Sequence, residues 1–297
     1  MQTIHVSSAQ QSPKSTVLIM GDQINRGIAS LAEKTPDDTR ILFIELAAKF
    51  SDKQWHKQKV HLLLSALKHF AQELREEGFE VDYRIAKNLN EGVKAHKRDF
   101  DVTHVIAMEP MNWNGKKILE NLDIELVRNN QFLCHYEDFA EWTKTKTKFK
   151  MEDFYRWQRK RLDILMDGST PCEGKWNFDH DNRERPPRDG REWPSITLFE
   201  HDDIDNDILQ NLDDFWGAYP KGVWPVTREQ ALIRLDEFVN GALKPFGPYE
   251  DAMLGKEWKL AHSVLSSSLN IGLLHPMEVV RAVEQAYTDG EAPINSV

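Results

Sequence analysis

Between residues 16 and 127, short apolar runs alternate with stretches of helical periodicity, and this alternation limits the fold more than any other feature of the chain. Thr16 to Met20 (TVLIM) and Ile41 to Leu46 (ILFIEL) are continuous apolar runs of strand length; Phe79 to Ile85, Thr103 to Met108 and Ile124 to Val127 follow suit. A helix is predicted from about Gln54 to Glu77. There Val60, Leu63, Leu64, Leu67, Phe70, Ala71 and Leu74 share one side, and Gly78 supplies the stop. Strands separated by helices are βαβ units, which assemble a parallel sheet with helices on both faces. The fold class is therefore α/β, Rossmann-like. Such sheets bind ligands beyond the carboxyl ends of their strands, and here those ends carry Gly21-Asp22-Gln23, Glu45 and Glu109-Pro110. No G-x-G-x-x-G follows the first strand and no P-loop occurs, so neither nucleotide fingerprint is present.

From about Phe139 the strand signal stops. Residues 139–166 read as helical, 167–200 as loop, and 204–297 as helices, of which Ala231–Leu243, Lys259–Asn270 and Pro276–Tyr287 are the clearest. Pro276 sits where a first-turn proline belongs, and Gly290 closes the last helix. The expected organisation is an α/β domain over 1–138, a basic, loop-rich linker over 139–203 and a partial all-α domain over 204–297.

The linker has an unusual composition. From Lys150 to Pro187 it packs aromatics and cations at helical spacing, then turns into a Gly/Pro/Asn-rich loop studded with arginines. Lys144, Lys146, Lys148, Lys150, Arg156, Arg159, Lys160 and Arg161 face only Glu152 and Asp153, a local surplus of roughly six positive charges. Arginine forks hold phosphates and flat rings offer faces to bases, so the segment points to nucleic acid. The plain alternative is a solvated basic face whose Phe154, Trp157, Arg161 and Leu165 seam packs on the core. Whole-chain charge argues against a sequence-blind nucleic-acid coat. The net is −10, and Glu200, Asp202, Asp203, Asp205, Asp207, Asp213 and Asp214 cluster just downstream.

The 297 residues suit one large domain or two, with 40% hydrophobic residues for their cores. Cys134 and Cys172 stand alone and cannot make a four-thiolate metal site. No run has the length of a membrane span, and the N-terminus MQTIHVSSAQQSPKS lacks the apolar core of a signal peptide. A cytoplasmic protein without membrane partners is expected.

Four blocks together resemble one family. MGDQI (20–24) resembles its first strand end, and HKQKVHLLLSALKHFAQELREEGFEVDY (56–83) its first long helix and next strand. MEDFYRWQRKRLDILMDGSTPCEGKWNFDHDNR (151–183) resembles its distinctive linker, and AHSVLSSSLNIGLLHPMEVV (261–280) the start of its flavin domain. The family is that of the prokaryotic (6-4) photolyases with an iron–sulfur cluster, also called photolyase-related proteins. The resemblance implies FAD-dependent, light-driven repair of damaged DNA, in which the photoexcited reduced flavin passes an electron to a flipped-out lesion. It also implies a lumazine antenna in the α/β domain.

By the same resemblance, the FAD phosphates fall to Tyr249, His262, Ser263, Val264, Leu265 and Ser266, where helix-start amides and hydroxyls suit an anion. Alternatively, Ser263 and Ser266 merely cap a helix. Gly21, Asp22 and Ile44 match antenna positions, and Arg183, Arg185 and Arg188 are the cations placed to reach damaged DNA, or else solvent-facing loop charge. Two departures qualify these expectations. Lys49 stands where the family places an acidic residue near the lumazine, which removes an acceptor and counts against the antenna. The chain also ends at EAPINSV, where the family continues into the isoalloxazine pocket, the repair histidine and the cluster cysteines. No catalytic residue and no iron–sulfur cluster are therefore expected here, and the chain reads as an incomplete photolyase that does not repair alone. The alternative is a non-catalytic chromophore-, DNA- or partner-binding protein of the same N-terminal fold. An unrelated nucleotide-binding enzyme finds no phosphate loop or catalytic cluster in residues 1–140. An uncovered apolar face carrying Ile271, Leu273, Leu274, Val279, Val280 and Val283 is expected to mediate self-association or pairing with a separately encoded remainder.

Overall fold

The computed structural model describes residues 15–50 and 53–297; the N-terminal stretch read for a signal peptide lies almost wholly outside them. Two compact units emerge. One holds the described residues up to Asn129 together with Asp207–Ala218, and the other holds Asn130–Asn206 with Tyr219–Val297.

The first unit is built on five parallel strands: β1 (Ser15–Ile19), β2 (Thr39–Leu46), β3 (Glu80–Ala86), β4 (Val105–Met108) and β5 (Glu125–Val127). Helices α1 (Lys57–Glu76), α2 (Leu89–Phe100) and α3 (Trp113–Glu120) connect β2 through β5. Side chains alternate across the sheet, and both faces are covered. Leu18, Leu42 and Ala107 lie in register and pack with Leu89, Val93 and Leu119 on the side of α2 and α3. Phe43 points the other way and meets Phe70 of α1 edge-on at 6.1 Å. This two-sided burial is why β1 and β2 read as unbroken apolar runs. On the α2 side the layers approach so closely that a Cβ on Gly92 would lie 2.8 Å from Ile44 Cδ1.

The strand order is β3-β2-β1-β4-β5. Its direction reverses between β1 and β4, which places the topological switch at their carboxyl ends. Gln23 Nε2 donates to Met108 O at 3.0 Å and ties those two ends together. Glu109, buried beside them, accepts from Lys116 Nζ at 3.0 Å and from Asn129 N at 3.3 Å.

The second unit begins with the hairpin of α4 (Tyr136–Thr143) and α5 (Met151–Leu162), two helices where the periodicity predicted one. The left-handed Asp163 (φ 51°) ends α5, and Arg281 donates to the freed Leu162 and Asp163 carbonyls at 3.0 Å. A two-stranded ribbon of β6 (Met166–Asp167) and β7 (Thr170–Pro171) follows, then α6 (Asp203–Leu209), whose last three residues belong to the first unit, and then α7 (Arg228–Glu237), α8 (Leu243–Tyr249), α9 (Ser266–Ile271) and α10 (Pro276–Thr288). Pro276 opens α10 as expected, with His275 and Glu278 forming a capping box.

The segment 139–203 belongs to this helical unit and does not stand apart as a linker. Its backbone is satisfied there: Glu184 N donates to Pro248 O at 2.9 Å, and Phe199 N to Gly222 O at 2.8 Å. Arg234, fully buried, fixes the same segment by donating to Thr197 O at 2.8 Å and Val223 O at 3.0 Å.

Two expectations are revised in this unit. The helix predicted over Lys259–Asn270 shrinks to Ser266–Ile271, because Leu260 (φ 52°) and Val264 (φ 57°) are left-handed and cannot continue a right-handed helix. Of the apolar face expected to be uncovered, Ile271, Leu273 and Leu274 are buried, and Val279, Val280 and Val283 are half-buried. Among the described residues, no helix is long and apolar enough to cross a membrane.

Candidate functional site

The segment expected to face FAD phosphates is a strained loop running into a short helix. A β-branched residue at positive φ is a genuine outlier, costing roughly 1–3 kcal/mol unless the surroundings impose it. Val264 is such a residue; Leu265 beside it is right-handed (φ −90°, ψ −12°). Left- and right-handed neighbours turn successive N–H groups toward a common point, a concavity suited to anions. Ser263 Oγ accepts weakly from Leu265 N at 3.5 Å, so it does part of the capping work; Ser266 is exposed and makes no cap bond. The next two serines differ. The Ser267 and Ser268 hydroxyls are buried without a hydrogen-bond partner, although a buried hydroxyl normally has one. Two unused donors beside a strained backbone turn are the donor set a diphosphate uses, so these residues fit the phosphate part of FAD. His262, half-buried, closes the turn by donating from its N–H to Lys259 O at 3.0 Å.

Tyr249 ends α8 and is engaged by the arginine-rich loop. Trp193 meets its ring edge-on at 5.5 Å, and the Arg191 guanidinium lies 5.7 Å from its centroid. Asp189 chelates Arg191 and holds the fork in place. Lys259, buried, donates to Pro194 O at 2.9 Å; its pKa is pushed down chiefly by burial and further by Arg234. The loop therefore runs from Asn182 past Tyr249 to Lys259.

Arg183, Arg185 and Arg188 are all exposed on this loop. Arg183 pairs with Asp179, one turn earlier, while Arg185 and Arg188 enter no ion pair among the described residues. Exposed arginines without partners are free to exchange water for phosphate.

The antenna positions surround a small cavity at the carboxyl ends of β1 and β2. Gly21 and Ile44 line it with Leu18, Leu63, Leu67 and Leu89. Lys49 lines it too, its Nζ 4.0 Å from where a Cβ on Gly21 would sit. Burial of the ammonium lowers its pKa, the Asp22 charge opposes this, and Lys59 and Lys53 add to it. Burial raises the Asp22 pKa against the pull of a backbone hydrogen bond and of Lys49. The cavity measures about 70 Å³, whereas sites for small organic ligands span roughly 300–1,000 Å³. Lys49 on its lining and this small volume both count against a bicyclic antenna.

Comparison with known proteins settles the lineage. The model of the deoxyribodipyrimidine photo-lyase-related protein family matches residues 17–219. The chain belongs to this family. A (6-4) photolyase of Agrobacterium fabrum is 33% identical over 95% of this chain and 58% of its own length. An uncharacterized protein of Acanthamoeba polyphaga mimivirus is 27% identical over 51% of this chain and 86% of its own. The crystal structure of a bacterial class III photolyase from Agrobacterium tumefaciens superposes with a TM-score of 0.58 at 14% identity, covering 99% of this chain and 57% of that one, and so shares its fold. The chain thus spans somewhat over half the length of the photolyases it matches.

Within this photolyase-related framework, several residues of the site carried no sequence signal. Ser267 and Ser268 differ from Ser266 only in burial, and burial of single serines is not patterned. Arg191 and Trp193 looked like ordinary members of a polar loop. Only their contacts with Tyr249 mark them.

Proposed function

We propose that this chain serves light-driven repair of (6-4) photoproducts in DNA. In this reading the loop Leu260–Ser268 grips the FAD diphosphate, and the Arg183–Arg188 loop meets the damaged strand. FAD, when bound, supplies the light-absorbing redox chemistry. The chain's own share is electrostatic. The N–H groups around Val264 and Leu265 and the Ser267 and Ser268 hydroxyls donate to phosphate oxygens. Tyr249 adds a contact from α8, and Arg185 and Arg188 bind backbone phosphates beside the lesion. Damaged pairs cost less to unstack, which favours them over intact duplex. No role is assigned to an antenna group.

The observation that carries the reading is Val264. A left-handed β-branched residue, followed three and four positions on by two partnerless buried hydroxyls, falls inside the segment that resembles the family's flavin motif. Titration with FAD, ADP and riboflavin tests it. FAD and ADP should compete for one site, and riboflavin, lacking the diphosphate, should not displace ADP. Ser268→Ala and Ser267→Ala should each weaken FAD roughly tenfold or more, from the loss of a hydrogen bond of about 1.5–3 kcal/mol to a charged group. Riboflavin binding as tight as FAD would refute the diphosphate grip.

A further inference from the structure

The α4–α5 hairpin carries a feature that repair of a flipped base does not use. Phe139 and Trp142 of α4, Phe149 of the connecting loop, and Phe154 and Trp157 of α5 form one ring cluster. Neighbouring centroids in it lie between 5.3 and 6.4 Å apart. Trp142 is its buried centre. Phe149 rests on Trp142 at 6.2 Å, yet remains 66% exposed, with Met151 beside it at 79%. A ring held from below and open above is preorganised to receive another flat group.

Its surroundings select the partner. Residues 143–150 (TKTKTKFK) hold four lysines and no acid in a chain of net charge −10. Lys144 pairs with Glu141, and Lys146 lies 5.5 Å from the Trp142 ring; Lys148 and Lys150, flanking Phe149, enter no ion pair among the described residues. Cations also line α5, where Arg156 pairs with Glu152. Arg156 and Lys160, both exposed, lie over the half-buried Trp176 ring, each 5.4 Å from its centroid. From Lys150 to Lys160 the helix rises about 15 Å, room for about four stacked nucleotides at about 3.4 Å each.

We propose that the α4–α5 hairpin is a binding platform for single-stranded nucleic acid, with Phe149 stacking on a base and Lys148, Lys150, Arg156 and Lys160 tracking the phosphates. An acidic peptide would satisfy the cations and leave the ring in water. An anionic membrane is distinguished from it by the vesicle arm of the test. The surface requires neither a lesion nor a flavin.

The test is fluorescence anisotropy of a labelled, undamaged twelve-residue oligothymidylate, in the dark and without FAD, over a salt series. Wild-type affinity should fall with salt at a slope of about −2 to −3, as expected for three to four phosphates. Phe149→Leu, which keeps the packing, should weaken binding at least fivefold, and Lys148→Glu with Lys150→Glu should both weaken it and flatten the slope. Lys87→Ala with Lys94→Ala, two exposed cations of the α/β unit, should leave it within twofold, which shows that the loss is local to this platform. Unchanged affinity in the Phe149 and lysine variants overturns the proposal. So does binding to phosphatidylserine vesicles or polyglutamate without binding to the oligonucleotide. Unchanged circular dichroism and melting of each variant exclude misfolding as the cause.

Discussion

Replacing Arg234 with methionine tests how the arginine-rich loop is fastened to the helical unit. Its guanidinium is fully buried and donates to the Glu237 carboxylate at 2.6 Å, to Thr197 O at 2.8 Å and to Val223 O at 3.0 Å. Phe199 covers it at 5.1 Å from ring centroid to guanidinium carbon. Burial lowers its pKa against the pull of Glu237, and its Nε finds no acceptor, so the charge is desolvated at a cost. Methionine preserves the volume and removes that cost. It also strands two part-buried carbonyls and a carboxylate that keeps the bond from Thr197 N at 2.8 Å.

Each stranded group costs about 1–3 kcal/mol, and breaking a buried charge pair about 3–5 kcal/mol. Crediting methionine for the removed desolvation leaves a net loss of about 3 kcal/mol. Lysine, a point charge that cannot span three acceptors, should recover about half of it. Urea unfolding measures the loss directly. Limited proteolysis between residues 184 and 200 measures its local part, since 3 kcal/mol raises the open population by about two orders of magnitude. A loss under about 1 kcal/mol for Arg234→Met, with the loop's protection intact, would refute the reasoning.

Asp82 carries a pH signature. Burial alone would raise its pKa, but hydrogen bonds from His96 Nδ1 (2.6 Å) and Arg84 outweigh that and lower it. With the folded value below the unfolded one, its stabilisation is present above about pH 4 and is lost as pH falls through the folded value. Asp82→Asn should therefore cost about 1–3 kcal/mol at pH 7, and this deficit should shrink on acidification in urea melts at pH 7 and pH 3; a deficit independent of pH would contradict it. Gly92→Ala should destabilise the first unit by about 1–3 kcal/mol because its methyl would meet Ile44 at 2.8 Å. Combining it with Ile44→Val should restore part of the loss, and purely additive losses would show that the contact is not the cause.

The α/β half was legible because its physics is simple. Strands buried on both faces must be apolar at every position, and β1 and β2 begin and end within two residues of the runs read from sequence. The helix that follows was equally clear from Val60, Phe70 and Leu74 on one side. The loop assigned to FAD was legible only through resemblance. By residue type, Lys259 to Asn270 reads as helix; no residue pattern announces the left-handed turns at Leu260 and Val264. The apolar run Ile271–Leu274 misled for the converse reason: a sequence shows that a face is apolar, but not what covers it. Arg234 and Arg159 are further cases. Each is a helix cation buried under backbone carbonyls that no local pattern announces.

The most direct measurement for the account as a whole is the binding, in the presence of FAD, of a duplex bearing one (6-4) photoproduct against the same duplex undamaged. The account predicts at least fivefold preference for the damaged duplex, and loss of most of that preference in the Arg185→Ala, Arg188→Ala double variant. Equal affinity for both duplexes, with FAD bound, would contradict it.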